Sequence, residues 1–144
     1  MVDIPRDARL ALFRGFLRRG AVVRVEKYPF LHTGPRDKFL VLLNLRFSVE
    51  APLYCVLTTS HPERNPFPHL ALVVPRGTIP FFPDETAIQC REVHPVDYAF
   101  LAERYADGKL TFVGTLPDEI IAQLNRILGG SPYLAPAIAR DILV

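Results

Sequence analysis

At 144 residues, with 49% hydrophobic and 22% charged residues, the chain has the size and composition of one folded domain rather than a disordered segment. Its net charge of +2 is too mild to mark a nucleic-acid binder by itself, so any phosphate site must be a local patch. No apolar run approaches the roughly 20 residues that span a bilayer, and fourteen prolines argue against a helical bundle.

Asp3 is placed to cap a helix with Pro5 in its first turn. Leu10, Phe13, Phe16 and Leu17 then recur at helical spacing, with Arg9, Arg14, Arg18 and Arg19 on the other side, until Gly20 ends the pattern. The plain reading of that basic face is solvation; the sharper one is a nucleic-acid contact. From Gly20 the character changes. AVVRVEKYPF alternates in part and predicts a strand, and LHTGPRD a loop around Gly34-Pro35. KFLVLLNLRF reads as a second strand buried on both faces, and LYCVLTTS as a third. HPERNPFP is a proline-broken loop, HLALVVP a fourth strand, RGTIPFFPDE a loop and TAIQCREV a fifth strand.

Next, PVDYAFLAERY predicts a helix capped by Asp97, and DGKLTFVGTL a turn and short strand. PDEIIAQLNRIL predicts a helix, with Pro117, Asp118 and Glu119 at its start and Gly129-Gly130 as its stop. Its apolar stripe is Ile120, Ile121, Leu124 and Leu128. The tail SPYLAPAIARDILV is partly apolar and is expected to pack down. Short strands in succession, with helices mainly at the ends, predict an α+β domain: a small antiparallel barrel with an N-terminal and a C-terminal helix, one domain over residues 1–144. The N-terminus lacks the basic-then-apolar order of a signal peptide, and a cytoplasmic location is expected, with no membrane partner. Cys55 and Cys90 show no paired spacing, so neither a disulfide nor a metal site is expected, and no cofactor.

No glycine-rich phosphate loop, HExxH or GxSxG is present, so any chemistry must be built from scattered side chains. Lys38, with Arg36, stands at the mouth of the second strand, where a fixed cation can stabilise the charge that builds on phosphorus oxygens during phosphodiester cleavage. The bland alternative is a solvated strand end. Thr58, Thr59, Ser60 and His61 close the third strand with hydroxyls that can hydrogen-bond phosphate and an imidazole that can move a proton near neutral pH. The bland alternative there is a turn. In FFPDET, Asp84 and Glu85 read as solvated acids, and Phe81 and Phe82 as either base-stacking rings or a core cap. His94 reads as a polar strand end.

Taken in order, GAVVRVEKYPF, KFLVLLN, LYCVLTTS, TAIQCREV and the ending GKLTFVGTLPDEIIAQLNRIL resemble the MazF/PemK family, the toxin components of bacterial toxin–antitoxin pairs, over about residues 20–129. The resemblance implies a small SH3-like barrel with a C-terminal helix, commonly a homodimer. It also implies a metal-independent endoribonuclease that cuts single-stranded RNA, leaves a cyclic phosphate and is neutralised by an antitoxin protein. The family uses an arginine, usually within Arg-Pro, at the head of the apolar strand and a threonine at the end of the next. Here the threonine match is Thr58 or Thr59. Lys38-Phe39 stands in place of Arg-Pro, and Arg36, two residues earlier, keeps the strand face but moves by about 7 Å. Lysine keeps the charge and loses the planar fork that grips phosphate bidentately. Catalytic roles are therefore expected of Lys38 and Thr58 or Thr59, with Arg36, Ser60 and His61 binding substrate. The alternative is a non-catalytic relative that binds a protein or nucleic acid, since gyrase-binding toxins share a related fold.

Overall fold

A computed structural model describes residues 4–31 and 34–143. The expected cap Asp3 lies outside the described residues. Pro5 directly precedes helix α1 (Arg6–Phe16), which ends four residues before Gly20. Phe13 is buried beneath it. Phe16, read as part of the buried stripe, is 40% exposed with its ring against Phe112 at 4.8 Å. Arg6 pairs with Asp107 at 2.8 Å, and Arg9 donates to the Ala106 carbonyl.

Six strands follow: β1 (Ala21–Tyr28), β2 (Arg36–Leu42), β3 (Leu53–Thr59), β4 (Ala71–Val74), β5 (Thr86–Val96) and β6 (Leu110–Thr115). They form one antiparallel sheet in the order β4-β5-β3-β2-β1-β6. The domain is thus α+β, as the pattern predicted. The sheet is not closed, however, because among the described residues β4 and β6 are its ends and do not pair with each other. An antiparallel barrel was expected because the sequence shows strand number but not closure.

The period-2 geometry of the strands explains the apolar runs. In β2, Leu40 and Leu42 enter one core while Val41 and, just past the strand, Leu43 enter another on the opposite face. The first core is covered by α1 and by α2 (Tyr98–Ala106) through Phe13, Leu101 and Ala102. Asp97 occupies the position preceding α2, as predicted, but makes no side-chain cap bond. The second core is covered by α3 (Asp118–Gly129) through Leu124 and Leu128, by Ile79 and Phe82 from the loop after β4, and by Ile142. Ile142 belongs to α4 (Pro136–Ile142), a short helix that the proline-interrupted tail did not advertise; the tail packs down as expected.

β5 runs three residues past the predicted TAIQCREV, through Pro95. Proline is tolerated there because β4 pairs only with residues Thr86 to Gln89, leaving that side of Pro95 without a neighbouring strand to receive an N–H. Both cysteines are buried and free.

Candidate functional site

The head of β2 is shaped by a bulge in its partner. Val25 pairs with Lys38 and Tyr28 with Arg36, so Glu26 and Lys27 together oppose Asp37. Lys27 takes a left-handed φ of 50°, and its N–H donates to Asp37 Oδ1 at 2.9 Å. The other Asp37 oxygen accepts from Arg24 at 2.6 Å. Both partners are about half exposed, so the pair contributes little stability, but it directs the carboxylate toward β1. Arg36 and Lys38, on either side of Asp37, share the other strand face.

Their side chains meet the end of β3. Arg36, Lys38, Thr58, Thr59, Ser60 and His61 all line one open cleft of about 390 Å³. Every residue singled out at the sequence level for this chemistry is therefore brought together. The strand was expected over KFLVLLNLRF with Lys38 at its head; β2 instead begins two residues earlier, at Arg36, and ends at Leu42, so Lys38 is its third residue. The C-terminal segment lies elsewhere: Tyr133, Leu134 and Ile138 border a separate cavity against Cys90 and Arg91, so it does not fill the cleft.

The two threonines are not equivalent. β2 and β3 pair Leu40 with Leu57 and Val41 with Val56. Carried two residues further, that register sets Lys38 opposite Thr59 and Phe39 opposite Thr58. Thr59 thus shares the face of Lys38 and Arg36 and is half-buried, whereas Thr58 belongs to the other face and is only 4% exposed. Thr59 Oγ1 accepts the His61 N–H at 3.1 Å, which leaves its hydroxyl proton free to donate outward. His61 Nδ1 lies 3.4 Å from Glu63 Oε1, an exposed contact that favours a proton on Nδ1 and leaves Nε2 to accept.

Lys38 is the half-buried cation of the group. Its Nζ donates to the Thr58 carbonyl at 3.3 Å. Burial, and then the charge of Arg36, lower its pKa from the usual lysine value. An anion arriving in the cleft would oppose that lowering by favouring the charged ammonium. The floor is apolar: Phe82 is buried, with Phe39 at 5.8 Å and Phe81 at 5.0 Å, each edge to face. Asp84, read as simply solvated, also lines the cleft, and its carbonyl accepts from Thr86 Oγ1 at 2.9 Å.

Sequence reasoning missed what lies beside this cleft. Cys55 pairs with His94 and Leu57 with Gln89, so four residues of β5, Cys90 to Val93, oppose Val56 alone. This large bulge throws Arg91 outward against the edge-to-face pair of Phe67 and Tyr133, its guanidinium carbon 4.3 and 4.5 Å from their ring centres. The only signal was the break in alternation within TAIQCREV.

Among the described residues no helix is long and apolar enough to cross a membrane, and no three His, Cys, Asp or Glu side chains gather as a metal would require. No family model and no curated protein matches the sequence.

Proposed function

We propose that the chain is a metal-independent endoribonuclease of the toxin type, acting on single-stranded RNA at the cleft between β2 and β3. One observation carries the reading: six residues from two strands and a loop converge on one cleft that offers two cations, hydroxyls and an imidazole. The MazF/PemK resemblance points the same way.

In this reading the RNA supplies its own nucleophile. The 2′-hydroxyl loses its proton and attacks phosphorus; the bond to the 5′-oxygen breaks, and that oxygen takes up a proton, leaving a 2′,3′-cyclic phosphate. Lys38 stabilises the added charge on the phosphorus oxygens. Arg36, about 7 Å further along the same face, contacts the adjoining phosphate or the same one from the strand end. Thr59 is the threonine that donates to the substrate, and Thr58 supports the floor. His61, through Nε2, is the group that moves one of the two protons. A second copy of the chain and an inhibitory antitoxin protein follow as expected partners from the same resemblance.

The test is cleavage of a labelled single-stranded RNA in excess EDTA. Defined fragments with cyclic-phosphate ends are expected from the wild type. Lys38→Ala and Thr59→Ala should each lower the rate about 100-fold or more, the usual loss when one donor to a transition-state anion is removed. Thr58→Val should stay within about threefold. No cleavage by wild type, or equal cleavage by all four proteins, would reject the enzyme.

A second reading, a fold that binds without cutting, is favoured by one observation. The Lys38 ammonium is already engaged by the Thr58 carbonyl. RNA binding that survives in the wild type without any cleavage would select this reading.

A further inference from the structure

Next to the cleft lies a second cavity of about 520 Å³, bounded by Phe30, Leu57, Asn65, Phe67, Gln89 and Arg91. We infer that it is a nucleobase pocket, seating the base of the nucleotide beside the phosphate held by Arg36 and Lys38. The inference rests on reading the cleft as an RNA phosphate site, and deepens that reading by naming what selects the cut.

The placement argues first. The two cavities have no lining residue in common, but they draw on the same segments of chain. The β1–β2 connection contributes Phe30 to one and leads into Arg36 of the other; the loop after β3 contributes His61 to the cleft and Asn65 and Phe67 to the pocket. Leu57 at the pocket lies two residues from Thr59 on the same face of β3, about 7 Å away. A chain whose phosphate sits at Thr59 and Lys38 therefore has its neighbouring base within reach of the pocket.

The chemistry argues next. Phe30 is 56% exposed and Phe67 is half-buried, so each leaves part of its ring open on which a flat ligand can stack. Gln89 is half-buried, and its amide carries donors and an acceptor, the combination that reads a base edge. Arg91 lies against both Phe67 and Tyr133, two rings that meet edge to face, so its guanidinium is held in place before any ligand arrives. Arg91 and Glu92, of opposite sign, stand on the same rim. Offsetting charges suit a neutral ring with polar edges better than they suit another phosphate. The four-residue bulge of β5 is the device that sets Gln89, Arg91 and Glu92 around one opening.

The experiment uses four fluorescein-labelled hexamers, one per base, made as 2′-fluoro RNA so that no 2′-hydroxyl is present to cut them. Binding is read by anisotropy for wild type, Gln89→Leu, Phe67→Leu and Phe67→Tyr, with far-ultraviolet circular dichroism confirming the fold of each. Cut sites in a mixed-sequence RNA are mapped in parallel. Wild type should favour one base at least fivefold. Gln89→Leu should reduce that preference to within twofold and relax the base beside the cut. Phe67→Leu should weaken all four hexamers about fivefold, and Phe67→Tyr, which keeps the ring, should not. Cleavage with an unchanged base preference in Gln89→Leu would overturn the pocket and leave the ribonuclease standing. Base-selective binding that Gln89→Leu abolishes, without cleavage by any protein, would keep the pocket and overturn catalysis. Neither binding nor cleavage would overturn both.

Discussion

Replacing one glycine by alanine should cost stability at Gly20 and add it at Gly15, five residues earlier. Gly20 has a φ of +83°, and its backbone ties three elements together. Its N–H donates to the Leu42 carbonyl at 2.8 Å, and its carbonyl accepts from the Leu116 N–H at 2.9 Å. The backbone cannot relax to a negative φ without straining both bonds. Alanine in the left-handed region costs about 1–2 kcal/mol. Its Cβ would also lie 2.5 Å from Ile121 Cδ1. That methyl is the far end of a flexible side chain, so displacing it costs only about 0.5–1.5 kcal/mol. Restricting the unfolded chain returns about 0.4–1 kcal/mol, for a net loss near 2 kcal/mol. Gly15 sits on the exposed face of α1 with nothing within 4 Å of an added Cβ. There alanine should stabilise by about 0.5–1 kcal/mol through helix propensity. The chain has no tryptophan, so urea unfolding is best followed by circular dichroism at 222 nm. Gly20→Ala within 0.5 kcal/mol of wild type, or two changes of the same sign, would refute the argument.

Three further outcomes follow from the interior and from the bulge in β1. Burial pushes the Cys55 and Cys90 thiols up to about 12 from an ordinary value of 9.0. Above pH 9 the unfolded thiols ionise while the folded ones stay protonated, so their contribution is full below pH 9 and is lost as pH rises toward 12. By pH 10.5 each costs about 2 kcal/mol, so urea midpoints at pH 7.5 and 10.5 should differ less in Cys55→Ala or Cys90→Ala than in wild type. Tyr28 is fully buried with no partner for its hydroxyl among the described residues, and burial raises its pKa far above the usual phenol value. Tyr28→Phe should therefore stabilise by about 1 kcal/mol in the same titration, and a loss would reveal a partner for the hydroxyl. Lys27→Gly should stabilise by about 0.5–1 kcal/mol by relieving the φ of 50°, provided Asp37 keeps its bond to that N–H, which Asp37→Ala in the same background would report.

Much of the architecture was readable because one-dimensional periodicity carries it. Each of the six strands overlaps an apolar run or alternating stretch, though β2 starts and stops earlier than its run and β5 extends past its own, and α3 begins and ends at its proline and glycines. What failed to show depends on partners distant in the chain. Closure of the sheet is a property of β4 and β6, 35 residues apart, and no local pattern reports whether they meet. The extension of β5 through Pro95 depends on how short β4 is. At the candidate site, charge and hydroxyl types at strand ends were enough to name Lys38 and Thr59. The distinction between Thr58 and Thr59 needed the pairing of Leu40 with Leu57, which fixes the face. Gln89, Phe67 and Arg91 stayed silent because a bulge, not a spacing, brings them together.

The position of β1 between β2 and β6 sets a timing problem for the growing chain. β2 is made almost at once after β1, but about 80 residues separate Tyr28 from Leu110, where β6 begins. At roughly 5–20 residues per second, one edge of an apolar strand waits about 4–16 s on the ribosome for its partner. Through that interval Ala21, Val22 and Val23, all buried in the finished fold, have unpaired backbone beside them. Helix α1 is complete before β1 emerges, yet its own packing partner α2 arrives only shortly before β6. The first core is therefore completed only when residues from both ends of a long stretch of translation have met, and until then its early strands keep an open edge.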